Sequence, residues 1–325
     1  MDPLKFLPVY KDYLWGGRNL EKLGKILPDG ITAESWEISS HPDGVSTIAN
    51  GEMAGLPFPD YLKRFGGDAI GSALPEHYSA QFPLLVKLLD ANQQLSVQVH
   101  PGDEYAKTHG GGLGKNEMWY IIDAKPGASI IYDVRPGTTR ESFERAVREG
   151  RVLDCLQQVP VGPGDVFDIP AGMVHGLGAG IVLAEIQQSS NLTYRIYDYD
   201  RIDAQGNQRP LHIEPALEVI DFQSAGREPK PPAIPVALGT VGTKIRLVAN
   251  DYFTTELYEV NGAFPEQAAG ERFVIDTFIA GEGFISYQGG VLPVKTGESI
   301  FIPAKLGKYT IEGSLKFLKS YIGSE

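Results

Sequence analysis

The chain predicts a mainly β protein, a β-sandwich or barrel with a few helical excursions, and three observations predict it. Runs rich in β-branched and aromatic residues recur, among them Ala128–Tyr132, Ile181–Ile186 and Thr255–Val260. The 38 Gly and 23 Pro of the 325 residues break such runs at short intervals into turns. Helical signals, by contrast, are few.

In chain order, the first helical excursion is an amphipathic piece at about 55–66, around Tyr61–Phe65 and halted by Gly66-Gly67, expected to cover one edge of a sheet. The second, at about 139–157, is expected to open with Thr138 and Glu141 as a capping box, to bury Phe143 and Ala146, and to be stopped by Gly150. Cys155 is expected to pack on its apolar side. Segment 227–236 holds four prolines, cannot donate a regular ladder of hydrogen bonds, and reads as a linker. A weak repeat spans that linker: Gly164–Ala171 leads through Gly172 to His175, and Gly297–Ala304 leads to Lys308 at the same offset. The expected division is therefore a metal-binding unit over 1–226 and a second β unit over 237–325. The second unit lacks histidine and has an ammonium where the first has an imidazole, so only the first is expected to bind metal.

Composition excludes several classes of function. With 29 Lys and Arg against 41 Asp and Glu the net charge is −12, which repels nucleic acid and anionic membranes, so a phosphate must be held by a local cationic cluster. One cysteine excludes an intramolecular disulfide framework, the N-terminal residues lack a signal-peptide pattern, and no apolar run approaches a membrane span. A cytoplasmic protein is expected, with the Asn191-Leu192-Thr193 sequon accidental and the chain a monomer or homodimer. His109-Gly110-Gly111-Gly112 resembles an esterase oxyanion loop, but no nucleophile elbow accompanies it, and it reads as a mobile lip. The glycine-rich stretch before Lys115 lacks the flanking residues of a P-loop.

The chemistry concentrates elsewhere. On the strand Leu95–His100, Gln98 and His100 project from one face, because residues two apart share a side. Glu117 and the turn ending at His175 follow downstream. Two imidazoles, a carboxylate and an amide are the donor set of a metal site, one that suits zinc or iron(II) with positions left open. Lys115 stands two residues before Glu117, so an extended segment points both the same way.

Gly164, Pro170, Gly172 and His175 match the second sequence motif of the cupin superfamily. Gln98-Val99-His100-Pro101 with Lys115-Asn116-Glu117-Met118 resembles the type I phosphomannose isomerases, as do Ala33–Ser39, Pro83–Lys87 and Tyr194–Asp198, with a size closer to the shorter bacterial branch. The resemblance implies two cupin (jelly-roll) β-barrel units. It also implies a zinc-dependent aldose–ketose isomerase that interconverts mannose 6-phosphate and fructose 6-phosphate. His100, Glu117 and His175 would hold one Zn2+, and Gln98 would either ligate it or hold a metal-bound water.

Moving a proton between C2 and C1 requires a base, and Lys115 is the candidate; the alternative is a lysine that stays charged beside a phosphate or carboxylate. Burial and a neighbouring cation would favour the neutral amine. Arg195 matches the family's active-site arginine and suits an enediolate or a phosphate, the alternative being an ion pair with Asp198 or Asp200. Arg18 and Lys87 are further candidates for the phosphate. Glu34 and Glu185 would accept sugar hydroxyls or orient a metal ligand. In the long branch the residues flanking the lysine are His and Pro; here they are Gly114 and Asn116, so ring opening assisted by a histidine at this position is not expected. The two rival classes are an iron-dependent cupin oxygenase, which would leave Lys115 and Arg195 without a task, and a non-catalytic sugar-phosphate-binding protein.

Overall fold

The computed structural model describes residues 1–109, 112–202, 206–230 and 233–323. The first unit is built on two antiparallel sheets packed face to face, and Phe6–Leu7 with Thr47–Ile48 form a separate two-stranded sheet. The six-stranded sheet runs, in spatial order, Val166–Ile169, Glu117–Ala124, Ile181–Gln188, Leu84–Ala91, Glu34–Ile38 and Val9–Lys11. The five-stranded sheet runs Tyr194–Tyr197, Val97–Val99, His175–Leu177, Ser129–Val134 and Leu156–Pro160. Leu89, Ile121 and Leu183 of the first meet Ile130, Tyr132 and Leu177 of the second in one buried core. The expected barrel is thus an open sandwich. Its ladders stop where Pro170 and Pro101 cannot donate and the strands beside them are only three or four residues long.

The second unit is one bent seven-stranded sheet built on three long strands, Thr254–Ala268, Gly307–Tyr321 and Val274–Tyr287, with Ser299–Ile302 paired to the last. The repeated glycines behave alike, Gly164 at φ 95° and Gly297 at φ 84°, each turning the chain into a short strand. One expectation is corrected here. Lys308 is exposed and Tyr309 is the residue turned inward, because a shift of one along a strand exchanges faces.

The helices also differ in detail from expectation. The capping box of Arg140–Arg148 is Thr139 with Ser142, not Thr138 with Glu141: Ser142 N donates to Thr139 Oγ1 at 3.2 Å and Thr139 N to Ser142 Oγ at 2.9 Å. The Thr138 amide is already spent in a turn on the Arg135 carbonyl at 3.1 Å. Helix Phe58–Phe65 buries Phe58, Tyr61 and Leu62, yet it sits at the junction of the two units instead of along a sheet edge. There Phe58 packs edge-on against Phe82 and Phe301, with ring centroids 4.9 and 5.2 Å apart, so one aromatic cluster belongs to both halves. Leu4 completes the junction by exchanging backbone hydrogen bonds with Phe301 at 2.9 and 3.0 Å. The start of the proline-rich segment is pinned, Arg227 donating to buried Asp133 from its backbone N at 3.1 Å and from Nη1 at 3.2 Å. Pro231 and Pro232 lie outside the described residues, as do Gly110 and Gly111 of the glycine-rich stretch. Cys155 is half-buried in the cluster that holds Phe143, on the apolar side of helix Arg140–Arg148.

A buried acid in the second unit carries a stability prediction. Asp276 is fully buried and neither of its oxygens accepts a hydrogen bond, so burial pushes its carboxyl up to about 7 despite the nearby Lys319. The native state then keeps a proton that the unfolded chain, with an ordinary pKa of about 3.9, has lost. Stability conferred by the neutral acid therefore declines between about pH 4 and 7, by on the order of 3–4 kcal/mol once that window is crossed. Asp276→Asn is expected to raise the melting temperature at pH 8 and to leave it nearly unchanged at pH 4. An equal shift at both pH values would mean that ionisation of Asp276 is not what limits stability.

Candidate active site

The mouth of the first sandwich brings the predicted ligands together from opposite sheets. His175 lies across from Gln98, and Gln98 across from Arg195, so three neighbouring strands present these side chains in a row. His100 follows its strand by one residue, and Glu117 opens the facing strand. Gly172 makes the turn into His175 possible: its φ is +84°, and a Cβ there would meet the Val219 carbonyl at 3.0 Å. Gly114 and Asn116, the two departures from the long branch, both have structural tasks. A Cβ at Gly114 would lie 2.5 Å from the Asp103 amide nitrogen. The Asn116 side chain donates to Gln188 Oε1 at 2.7 Å and accepts from the Ala171 amide at 2.9 Å, fastening the Lys115 segment to the His175 turn.

Among the described residues, His100, Glu117 and His175 are the one group of three potential ligands whose donor atoms all lie within 4.8 Å of one another. Each is at most 1% exposed. Both imidazoles hold a backbone carbonyl through Nδ1, His100 that of Leu192 at 2.8 Å and His175 that of Met173 at 2.9 Å. Those bonds place the proton on Nδ1 and leave an Nε2 lone pair on each ring, and the two Nε2 atoms face each other at 3.1 Å. Glu117 adds two buried oxygens, 3.6 Å from His100 Nε2 and 3.4 Å from His175 Nε2, that accept no hydrogen bond. Two imidazole lone pairs and a carboxylate converging in a buried cluster are a donor set that fits a divalent metal ion. Burial acts the same way on the free groups, pushing His175 down to about 4, His100 well below its usual range, and Glu117 up.

Lys115 is where its spacing predicts. Its Nζ lies 2.7 Å from Glu117 Oε2, an ion pair outside hydrogen-bond geometry, and 3.0 Å from His100 Nε2. Gln98 reaches the same cluster, its amide nitrogen 3.3 Å from His175 Nε2. Beside them opens a pocket of about 250 Å³ lined by Gln98, Lys115, Lys87, Glu185 and Arg195 among others. Glu34, Lys87 and Glu185 form one buried network: Lys87 Nζ is 2.9 Å from Glu185 and 3.6 Å from Glu34. The indoles of Trp36 and Trp119 donate to the two carboxylates at 2.6 and 3.1 Å. Burial opposes the charge on Lys87, but the two carboxylates outweigh it and raise its pKa. Neither acid holds a metal-ligand imidazole; backbone carbonyls do that instead.

Arg195 also lines the pocket but does not form the ion pair with Asp198 that was its alternative. Its Nη1 donates to the Pro210 carbonyl at 2.9 Å, its Nε has no partner, and burial followed by the charge of Arg209 pulls its pKa down. Asp198 is taken by Arg201 and Arg209. Arg209, which also lines the pocket, escaped the sequence reading because it sits in a loop with no motif around it. Asn191, read only as a sequon, lines the pocket as well. Arg18 does not reach it: the guanidinium is exposed and held by Glu21 and the carbonyls of Pro28 and Gly30.

Two stacked sheets with a buried His–Glu–His cluster that could hold a metal ion define a cupin. Comparison with known proteins narrows that class. Residues 4–126 match the catalytic domain of phosphomannose isomerase type I, and residues 243–322 the mannose-6-phosphate isomerase cupin domain. Mannose-6-phosphate isomerase ManA of Bacillus subtilis is 36% identical over 99% of both chains. The mannose-6-phosphate isomerase of Streptococcus mutans is 35% identical over 98% of each. The crystal structure of the mannose 6-phosphate isomerase from Bacillus subtilis superposes with a TM-score of 0.91 at 33% identity, covering 99% of this chain and all of that one. The chain belongs to the type I phosphomannose isomerases, and it is an isomerase of that family. Among the described residues no helix is long and apolar enough to cross a membrane.

Proposed function

We propose that this pocket interconverts D-mannose 6-phosphate and D-fructose 6-phosphate by moving a proton between C2 and C1 through a cis-enediol, with one zinc ion held by His100, Glu117 and His175. The observation that carries the reading is the pairing of that dry donor cluster with Lys115 at one end of the pocket and Arg195 with Arg209 lining the same space. Gln98 joins the cluster either as a fourth ligand or as holder of a bound water. When bound, the zinc would supply Lewis-acid stabilisation for the negative charge that develops on the sugar oxygens.

The protein supplies the rest. Lys115 Nζ takes the proton from C2 and returns it to C1, with Glu117 beside it to stabilise the ammonium formed in between. The Glu34–Lys87–Glu185 network offers fixed acceptors and a donor to the sugar hydroxyls, and the indoles that hold its carboxylates keep it rigid. Arg195, with an unpartnered Nε, and Arg209 take the phosphate. Arg209→Ala is therefore expected to raise KM for mannose 6-phosphate about tenfold or more while kcat changes little, as loss of uniform binding requires. A fall in kcat at constant KM would remove Arg209 from the phosphate seat.

The same reading keeps the units at 1–226 and 237–325 with 227–236 between them, a cytoplasmic setting, and a monomer or homodimer. The deciding experiment is isomerase turnover before and after chelation, followed by return of zinc or iron(II). Activity lost on chelation and restored by zinc is the expected result. No isomerase turnover with either metal, together with oxygen uptake on return of iron(II), would establish the oxygenase instead.

A further inference from the structure

The second unit carries a pocket with a buried, ion-paired lysine beside an aromatic ring, similar to the one proposed above to hold the sugar, and the inference drawn from it rests on that reading. In the first unit, Lys87 lies mid-sheet, across from Glu185 on one side and Trp36 on the other, with its ammonium 5.2 Å from the Trp36 ring. In the second, Lys319 lies mid-sheet across from Glu256 and Asp276, with its ammonium 4.5 Å from the Tyr258 ring. Each lysine is buried and ion-paired, Lys87 to Glu185 and Lys319 to Glu266. Each lines a pocket of similar size, about 250 Å³ in the first unit and about 230 Å³ in the second. Tyr309, the inward residue that follows the repeated glycine turn, forms part of the second pocket's wall.

We infer that this second pocket is a binding site for an unphosphorylated monosaccharide or similar polyol. Glu256, Glu266 and Lys319 offer two acceptors and one donor for hydroxyl groups, the Tyr309 hydroxyl offers a further donor, and the Tyr309 ring with Val274 supplies the apolar wall that the C–H face of a sugar covers. The excess of carboxylates disfavours a phosphate ester. The tyrosine–glutamate pair is already ordered, Tyr258 donating to Glu256 at 3.2 Å. Asp276 supplies the second, independent sign. It lies two residues beyond the lining Val274 on the same sheet face, fully buried, and both of its oxygens lack a hydrogen-bond partner although Lys319 is its cross-strand neighbour. A sugar hydroxyl that engages Glu266 lets the ammonium turn to Asp276, so occupancy satisfies an acid that the empty pocket leaves bare.

Saturation-transfer NMR on the full-length holoprotein tests this with D-mannose as probe and fructose 6-phosphate in saturating excess to fill the catalytic pocket. The mannose signal is expected to persist under those conditions. Glu266→Gln and Tyr309→Phe are each expected to weaken it about five- to tenfold, the loss of one hydrogen bond. Turnover of mannose 6-phosphate, measured on the same samples, should be unchanged in both variants and reports separately on the isomerase reading. Tyr309→Phe keeps the ring and hence the packing, so a folded variant is available if Glu266→Gln is not. No mannose signal, a signal abolished by fructose 6-phosphate, or a signal unaffected in both variants would each overturn the second site.

Discussion

Glu117→Ala is expected to abolish metal binding and isomerisation together. The carboxylate contributes two fully buried oxygens with no hydrogen-bond partner, and without them two imidazole lone pairs 3.1 Å apart are a poor site for a divalent ion. Removing a single charge-stabilising donor from an active site costs about 10² to 10³ in kcat, so loss of the ion should cost on the order of 10³-fold or more. Elemental analysis and turnover give the direct readouts, and thermal stability gives an independent one. A ligand present at a hundredfold excess over its Kd stabilises the fold by about 2.7 kcal/mol. Chelated wild type should thus regain melting temperature when zinc is returned, whereas Glu117→Ala should not respond. The apo variant should also be less stable than apo wild type, since it leaves the buried Lys115 ammonium without its partner carboxylate. His175→Ala is expected to behave alike. A metal-free variant with full activity would sink the metal mechanism.

Lys115→Met separates proton transfer from metal binding. Methionine has nearly the volume of the lysine stem and leaves His100, Glu117 and His175 in place, so the ion should remain. With its amine gone, kcat should fall by about 10² to 10⁴, the usual contribution of a positioned acid–base group. The decisive measurement is exchange of the C2 proton of mannose 6-phosphate with solvent deuterium. Exchange should vanish with turnover in a variant that still carries zinc. If exchange survives at the wild-type rate, Lys115 is not the base, and its place beside Glu117 is then an electrostatic one.

Much of the site was legible because strand geometry is simple. A period of two puts Gln98 with His100 and Lys115 with Glu117, and the structure brings these four residues to one cluster with His175. The same rule explains the error at Lys308. The offset from the repeated glycine is right, but a slip of one residue is enough to turn an inward position outward, and Tyr309 takes its place. Arg209 could not be read at all, because it reaches the pocket through tertiary placement of a loop and not through a periodic element. Arg18 was misplaced for the reverse reason. A guanidinium near glycines suggested an anion, whereas local carbonyls and Glu21 already satisfy it. The helical cap moved by one residue because two adjacent threonines offer the same chemistry, and only the turn before them decides which amide is free.

The Leu4–Phe301 pairing sets the order in which this enzyme can be completed. Residues almost 300 positions apart close the shared aromatic cluster, and closing so long a loop carries a large entropic cost that cannot be offset until both ends exist. During synthesis His100, Glu117 and His175, all within the first 175 residues, emerge well before Phe301 does. The nascent chain therefore holds its chemistry in an unfinished half with Phe58 and Phe82 uncovered, and that exposed apolar surface is open to aggregation until the last strands arrive.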